Sequence, residues 1–352
     1  MILTIILFIL ILGLIVLVHE GGHFLFAKLT GVHVYEFSIG MGPLLLKHIA
    51  KDKTQYSLRA IPIGGYVSLA GEEISEEERK KTKGQNLQDK TLFQRFLVMF
   101  MGVGNNFIFA FLILLLLGLI YGAPSTTPKI SGVTEGYPAQ EVGIETGDIV
   151  NRINGHKITY LDDISLYLTV EDLSKPVTFE VTKASGTKNT YTLQPEKVTD
   201  ENGKTKYAIG IVLKAESERG LIRSIGYAFK EELAIFKQMF VVLGNLFTGG
   251  VKVNQLSGPV GIISIVDQTK KVGMAAILSL TALLSVNVGV INLLPFPAFD
   301  GGRILFLVIE KIKGSPVDAK LENTIHTIGF ALLILLMIYV TWNDIAKIIF
   351  KH

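Results

Sequence analysis

His19 and His23 stand four residues apart with Glu20 between them, in the run His19-Glu20-Gly21-Gly22-His23. On a helix, residues at i and i+4 share a face one turn apart, so two imidazoles at this spacing suit one Zn²⁺ ion. The glutamate between them can reach a metal-bound water and take its proton. The run follows directly on Ile2–Val18, a stretch with almost no polarity. Hydrolytic chemistry is thereby placed at the end of a segment apolar enough to enter a membrane.

Catalytic zinc commonly takes three protein ligands and keeps a fourth position for water. The chain has no cysteine, so the missing ligand must be His, Asp or Glu, and disulfides and thiol nucleophiles are excluded. Asp300 is the candidate, at the close of the apolar run Val272–Phe299 and just before Gly301-Gly302. An ionisable group at a membrane boundary is costly unless it is paired or functional. The bland alternative is a turn aspartate beside two glycines. His33 and His48 remain as rival ligands on the same side. His156 falls in a separate domain, His352 is the last residue, and His326, near the start of an apolar segment, is expected to be satisfied locally.

The elements that must position these groups are membrane helices. Hydrophobic residues make up 49% of the 352 and charged ones only 18%, and mean hydropathy is +0.44, too apolar for an ordinary soluble domain. Four stretches are long enough to span: Ile2–Val18, Phe96–Tyr121, Val272–Phe299 and Ile325–Trp342. No Lys or Arg precedes the first, so it reads as an anchor and not a signal peptide. The first cation, Lys28, follows it, which places the N-terminus outside and Lys28 inside. Alternation then puts His19, His23 and Asp300 at the cytoplasmic ends of spans one and three, at matching depth. A formal charge of +3 with no basic aromatic cluster implies no nucleic-acid partner.

Between the spans, residues 34–70 carry β-formers with Gly and Pro punctuation and read as strands. Residues 71–90 are charged and read as an exposed loop, and 125–215 read as a separate, mostly β domain with about two short helices. Ile222, Ile225, Phe229, Leu233, Phe236, Phe240, Leu243 and Phe247 form a stripe at helical spacing, expected as an amphipathic helix against the bundle or in the membrane interface.

With these pieces in place the chain resembles the site-2 proteases, intramembrane zinc metalloproteases, in the bacterial form with one PDZ domain. His19 to His23 resembles that family's zinc motif. Asn292 to Gly301 resembles its Asn-x-x-Pro-x-Pro-x-Leu-Asp-Gly motif, with Phe299 in the leucine's place. Gly102-Val103-Gly104-Asn105-Asn106-Phe107 resembles a Gly-Pro-x-x-Asn-Phe element, with Val103 for proline, and Leu256-Ser257-Gly258-Pro259-Val260-Gly261 is similar to a further family segment. Gly136-Tyr137-Pro138-Ala139, Gly143 to Val150 and Ile153-Asn154-Gly155 resemble PDZ turns, and Tyr207 to Ile211 is a candidate carboxylate-binding strand.

The resemblance implies a polytopic α-helical membrane protein: four transmembrane helices, a membrane-associated β-hairpin or sheet, and an inserted mostly-β PDZ domain. The expected parts are helix one with the zinc motif (1–30), a cytoplasmic-side β-rich region and loop (31–95), helix two (96–121) and an extracytoplasmic PDZ domain (125–215). An amphipathic helix (221–250), helix three with the Asp-Gly motif (272–303) and helix four (325–345) follow. It implies zinc on His19, His23 and Asp300, with Glu20 as general base. Asn106 is a candidate for binding substrate backbone or the oxyanion, with an interhelical hydrogen bond as the alternative. A membrane helix hides its own peptide bonds, so a substrate must be bound locally extended. Gly64, Gly65 and Tyr66 are candidate contacts for that extended segment, as is Asn292. Expected partners are the lipid bilayer and single-span proteins of a bacterial cytoplasmic membrane, such as anti-sigma factors or signal-peptide remnants, whose ectodomains the PDZ domain binds or excludes. A non-catalytic membrane scaffold with structural zinc and a PDZ sensor would not need Glu20. A metal transporter would need ionisable residues within several spans.

Overall fold

A computed structural model of the chain describes residues 1–72, 82–199, 205–249 and 258–350. Residues 73–81 of the charged loop expected over 71–90 therefore lie outside the described residues, as do Leu256, Ser257 and the turn-forming residues 201–203. The chain divides into two units, Met1–Ile113 with Asn254–His352, and Leu114–Val253.

In the first unit, helix α1 (Ile2–Leu29) buries Thr4, Phe8, Ile11, Ile15, His19, Gly22, His23 and Ala27. That spacing of three and four is one face of a helix, and the two histidines continue the same stripe that begins with Phe8 and Ile15. The other face, with Ile2, Leu3, Ile6, Leu10 and Leu14, is exposed, as suits a face turned to acyl chains. Strands β1 (Val34–Ile49) and β2 (Gln55–Leu69) pair antiparallel with several register shifts. Phe37 and Ile39 lie opposite Val67 and Gly65 and also opposite Tyr56 and Leu58, so the first half of β1 sits between the two halves of β2. Helix α2 (Leu92–Tyr121) follows and crosses into the second unit.

The second unit contains the β domain expected there. Strands β3 (Ile149–Ile153), β4 (His156–Lys157), β5 (Val177–Thr182) and β6 (Lys188–Leu193) form an antiparallel sheet in the order β4-β3-β5-β6. Val177, Phe179 and Val181 on β5 point inward at every second position and pack with Ile130, Ile144, Val150, Ile153 and Ile164. Short helices α3 (Pro138–Glu141) and α4 (Leu161–Val170) are the two anticipated. The candidate carboxylate-binding strand is split: Thr205–Ala208 pairs with Glu196–Thr199, and Ile211–Val212 with Gly132–Val133. Gly210 between them turns at φ +84°. The carbonyl of Ile209 already accepts the Ala139 N–H at 2.9 Å. Helix α5 (Leu221–Thr248) leaves Ile222, Ile225, Phe229, Leu233 and Phe240 of the apolar stripe exposed.

The first unit resumes with α6 (Pro259–Val272), α7 (Met274–Leu293), α8 (Asp300–Lys313) and α9 (Ala319–Phe350). The third span differs from the expectation of one helix over 272–303. Helix α7 ends at Leu293, the segment 294–299 is a turn, and Asp300 opens a new helix. Pro295 and Pro297 are the reason, since proline lacks an N–H and drives the preceding residue out of the helical region. Among the described residues, four helices are long and apolar enough to cross a membrane: Ile2–Leu29, Leu92–Tyr121, Met274–Leu293 and Lys320–Lys347.

Candidate active site

Helix α1 and the first residue of α8 bring three ligand atoms to one point. His19 Nε2 and His23 Nε2 are 3.3 Å apart, and Asp300 Oδ2 lies 3.1 Å from the first and 3.2 Å from the second. Tetrahedral ligands about 2.1 Å from a zinc ion stand roughly 3.4 Å from one another, so the triangle already has the size that a zinc ion requires. Both histidines are nearly buried, at 7% and 8% exposure. Asp300 Oδ2 is buried and makes no well-formed hydrogen bond, which is costly unless a further partner is bound. Among the described residues these three are the group that could hold a metal ion.

The far side of each ring is held. His23 Nδ1 lies 2.8 Å from the carbonyl oxygen of Val98, so Nδ1–H donates and the Nε2 lone pair is free to ligate. His19 Nδ1 lies 3.2 Å from the Asn106 side-chain amide. Oxygen and nitrogen of an amide are assigned from their partners. The ligating tautomer of His19 carries Nδ1–H, and Asn106 Oδ1 otherwise stands buried without a partner. We therefore assign Oδ1 toward His19, accepting Nδ1–H. Asn106 is fully buried, and its backbone carbonyl accepts the Ser285 hydroxyl at 2.9 Å. Asn105 donates to the Val18 carbonyl at 3.3 Å.

Helices α1 and α2 touch here through glycine. A Cβ on Gly22 would lie 2.0 Å from the Met101 carbonyl oxygen, and one on Gly102 would lie 2.2 Å from His23 Nε2. Small residues let membrane helices approach at backbone distance, and that approach sets the Val98 carbonyl and Asn106 against the two rings.

Glu20, half-buried, extends from the same turn of α1, and its Oε2 accepts the Val67 N–H at 3.0 Å. The sheet is thus tied to the carboxylate one residue beyond Gly64-Gly65-Tyr66. Gly65 faces β1 so closely that a Cβ would lie 2.5 Å from the Ser38 carbonyl. The Tyr66 phenol hydrogen-bonds Glu36, and burial and that carboxylate push its pKa up. Asn292 sits half-buried on the last turn of α7. His33 and His48 stay on the β segment, outside the cluster; the His33 ring packs on Tyr35 and His48 lies opposite Tyr56. Arg95 in the first turn of α2 lines a cavity of about 430 Å³ with Arg303, Glu310, Glu322 and His326.

Sequence reasoning missed the Val98 carbonyl and the Val67 N–H, because backbone groups leave no signature in residue types. For His326, expected to be satisfied locally, it missed the distant partner: Nδ1 accepts the Ala298 N–H of the turn before Asp300, 28 residues away, while Glu322, one helical turn back, lies 4.0 Å from Nε2.

Comparison with known proteins agrees with this geometry. The model of Peptidase family M50 matches residues 7–336. The regulator of sigma-W protease RasP of Bacillus subtilis is 32% identical, with 98% of this chain and 99% of RasP covered. A Clostridium perfringens protein named "Putative zinc metalloprotease CPE1693" is 38% identical over 94% of this chain and 95% of its own length. A crystal structure of the PDZ domain of a Listeria innocua SdrC-like protein covers 27% of this chain at 18% identity, with a TM-score of 0.21. With a family model running through nearly its whole length, the chain belongs to peptidase family M50.

Proposed function

We propose that this protein is an intramembrane zinc endopeptidase that hydrolyses peptide bonds within the membrane-spanning segments of single-span proteins. The observation that carries the reading is the convergence of His19 Nε2, His23 Nε2 and Asp300 Oδ2 at 3.1–3.3 Å, on helices apolar enough to span, with Glu20 on the adjoining turn. His19, His23 and Asp300 would hold the ion. Bound there, zinc supplies a Lewis acid for the scissile carbonyl and a water acidified to near neutrality.

The protein's own groups do the rest. Glu20 takes the proton of the attacking water and returns it to the leaving amine. The Val67 amide holds that carboxylate in place, and Asn106 and the Val98 carbonyl fix the two imidazoles. A helical substrate must unwind before its peptide bonds are open to attack. The strand 64–69, joined to Glu20 at Val67, is where an extended segment would be laid by strand addition. Gly64, Gly65 and Tyr66 would meet that segment, with Asn292 as a further contact. The relative named a regulator of sigma-W protease supports a membrane-anchored regulator of a sigma factor as substrate, with signal-peptide remnants as the other class. We place the active site near the cytoplasmic face and the N-terminus and PDZ domain outside, because the first cation, Lys28, follows the first span. The PDZ domain would then bind or exclude substrate ectodomains.

The test is Glu20→Gln, assayed on purified full-length protein with a single-span model substrate. Zinc content equal to wild type with cleavage reduced at least ~100-fold is expected, since general-base catalysis contributes about 10²–10⁴. Retained proteolysis would remove Glu20 as the base, and absence of bound metal in wild type would remove the reading as a whole.

A further inference from the structure

Asp300 reaches the two histidines from the end of a short turn that has few backbone bonds of its own. Between Leu293 and Asp300 its internal backbone bonds run from Phe296 N–H to Leu294 O and from Phe299 N–H to Phe296 O. Ala298, two residues before the carboxylate, sits at φ +85°, a conformation that an L side chain adopts only where its surroundings impose it.

Two residues of the last helix bear directly on this turn. His326 on α9 receives the Ala298 N–H on Nδ1 at 3.2 Å. Gly329 lies three residues on, on the same face of α9, and packs against the preceding residue: a Cβ there would lie 2.4 Å from Pro297 Cβ and 2.6 Å from its carbonyl oxygen. Gly329 is buried on a helix whose surface is otherwise largely exposed. Phe306 on α8 lies against the His326 ring, with centroids 5.5 Å apart, so the imidazole is held between the turn and the helix that Asp300 begins. Since Nδ1 accepts, the ring is neutral with its proton on Nε2. These contacts are independent, one a hydrogen bond and one a backbone approach that only glycine permits, and both converge on consecutive residues of one turn.

We propose that His326 and Gly329 are positioning residues for the metal site: α9 clamps the Pro297–Ala298 turn and so fixes where the Asp300 carboxylate stands relative to His19 and His23. This rests on the reading of Asp300 as a metal ligand. Metal ligands tolerate displacements of only about 0.2 Å, so a turn released from α9 misplaces its carboxylate without altering any of the three ligands.

The test uses full-length protein in detergent with zinc affinity by chelator competition, the visible spectrum of the cobalt-substituted protein, and kcat and KM separately. In His326→Asn the new Oδ1 is as many bonds from Cα as the histidine Nδ1, whereas in His326→Gln the oxygen is one bond further. His326→Leu is expected to weaken zinc binding by about 10- to 100-fold, the effect typical of losing an outer support. It should also alter the cobalt spectrum and lower kcat with KM unchanged. His326→Asn should recover most of that loss and His326→Gln little. An added Ala298→Gly, which frees the positive φ from any external hold, should shrink the effect of His326→Leu at least threefold. Equal behaviour of His326→Asn and His326→Gln, or wild-type zinc affinity in His326→Leu, would overturn the proposal. Should His326→Leu fail to fold, the comparison of His326→Asn with His326→Gln decides. Asp300→Ala separates the two levels: if it keeps its zinc, the ligand reading fails. If it loses zinc while the His326 variants do not, only the clamp fails.

Discussion

Replacing Gly102 by alanine adds one methyl group to a helix that contributes no ligand, and it should abolish the metal site. The new Cβ would lie 2.2 Å from Nε2, 2.4 Å from Cε1 and 2.8 Å from Cδ2 of His23. Non-bonded heavy atoms settle near 3.5 Å, so the ring must withdraw by about 1.3 Å, several times the ~0.2 Å that a metal–ligand bond tolerates. The withdrawal also pulls Nδ1 off the Val98 carbonyl, now at 2.8 Å. Losing an outer-shell partner alone weakens metal affinity 10- to 100-fold, so displacing a ligand should exceed 100-fold. The assay is zinc per mole of purified Gly102→Ala protein, with cleavage of a single-span substrate alongside. Gly21→Ala is the control. Gly21 lies in the motif itself, yet a Cβ there meets nothing within 4 Å, and alanine favours the helix by about 1 kcal/mol. That variant should keep full zinc and activity. If Gly102→Ala bound zinc as wild type does, the packing of α2 on His23 would not be what shapes the site.

Asn106→Ala leaves the His19 Nδ1–H buried without an acceptor, and it should cost about 10–100-fold in zinc affinity while substrate KM stays unchanged; a change in KM alone would instead mark Asn106 as a substrate contact. In the second unit, burial and then the neighbouring Asp162 carboxylate push Glu231 up from 4.5 to about 7. A carboxyl whose folded pKa is raised holds its proton longer in the folded state, so its contribution to stability is complete below pH 4.5 and declines as pH rises to about 7. The ceiling is roughly 3 kcal/mol. Hydrogen exchange across 149–193 in the full-length protein, corrected for intrinsic rates, should show protection falling over that window, and Glu231→Gln should flatten the slope.

The parts of the site legible in the sequence are those whose signal is a side-chain type at a fixed spacing. His19 and His23 announce themselves because i and i+4 is a helical coincidence with one chemical use, and Asp300 because a carboxylate at the end of an apolar run needs a reason. The turn before Asp300 was visible as Pro295 and Pro297, but the apolar residues around them, Leu293, Leu294, Phe296 and Phe299, extended the span in composition alone. Hydropathy measures what a segment can be immersed in, not whether its backbone can stay helical. The supports are the illegible part. Gly22 and Gly102 are required by what stands opposite them, and nothing in a single chain says which of 35 glycines meets a neighbouring helix at 2 Å.

The need for so many supports follows from where the site lies. Near the hydrocarbon, a charged or unpaired polar group is costly, and three of the four ionisable side chains here have a second contact: His23 to Val98, His19 to Asn106, Glu20 to Val67. As ligands through Nε2 both imidazoles would be neutral, and Glu20 and Asp300 would carry the formal charges of the cluster. Two carboxylates without a counter-ion are a poor occupant of a low-dielectric site, but two carboxylates, two neutral imidazoles and a dication sum to zero. A site in water can leave such a sum to the solvent; here, on the proposed ligand set, an aspartate at position 300 would balance the dication where a third histidine would leave one positive charge over.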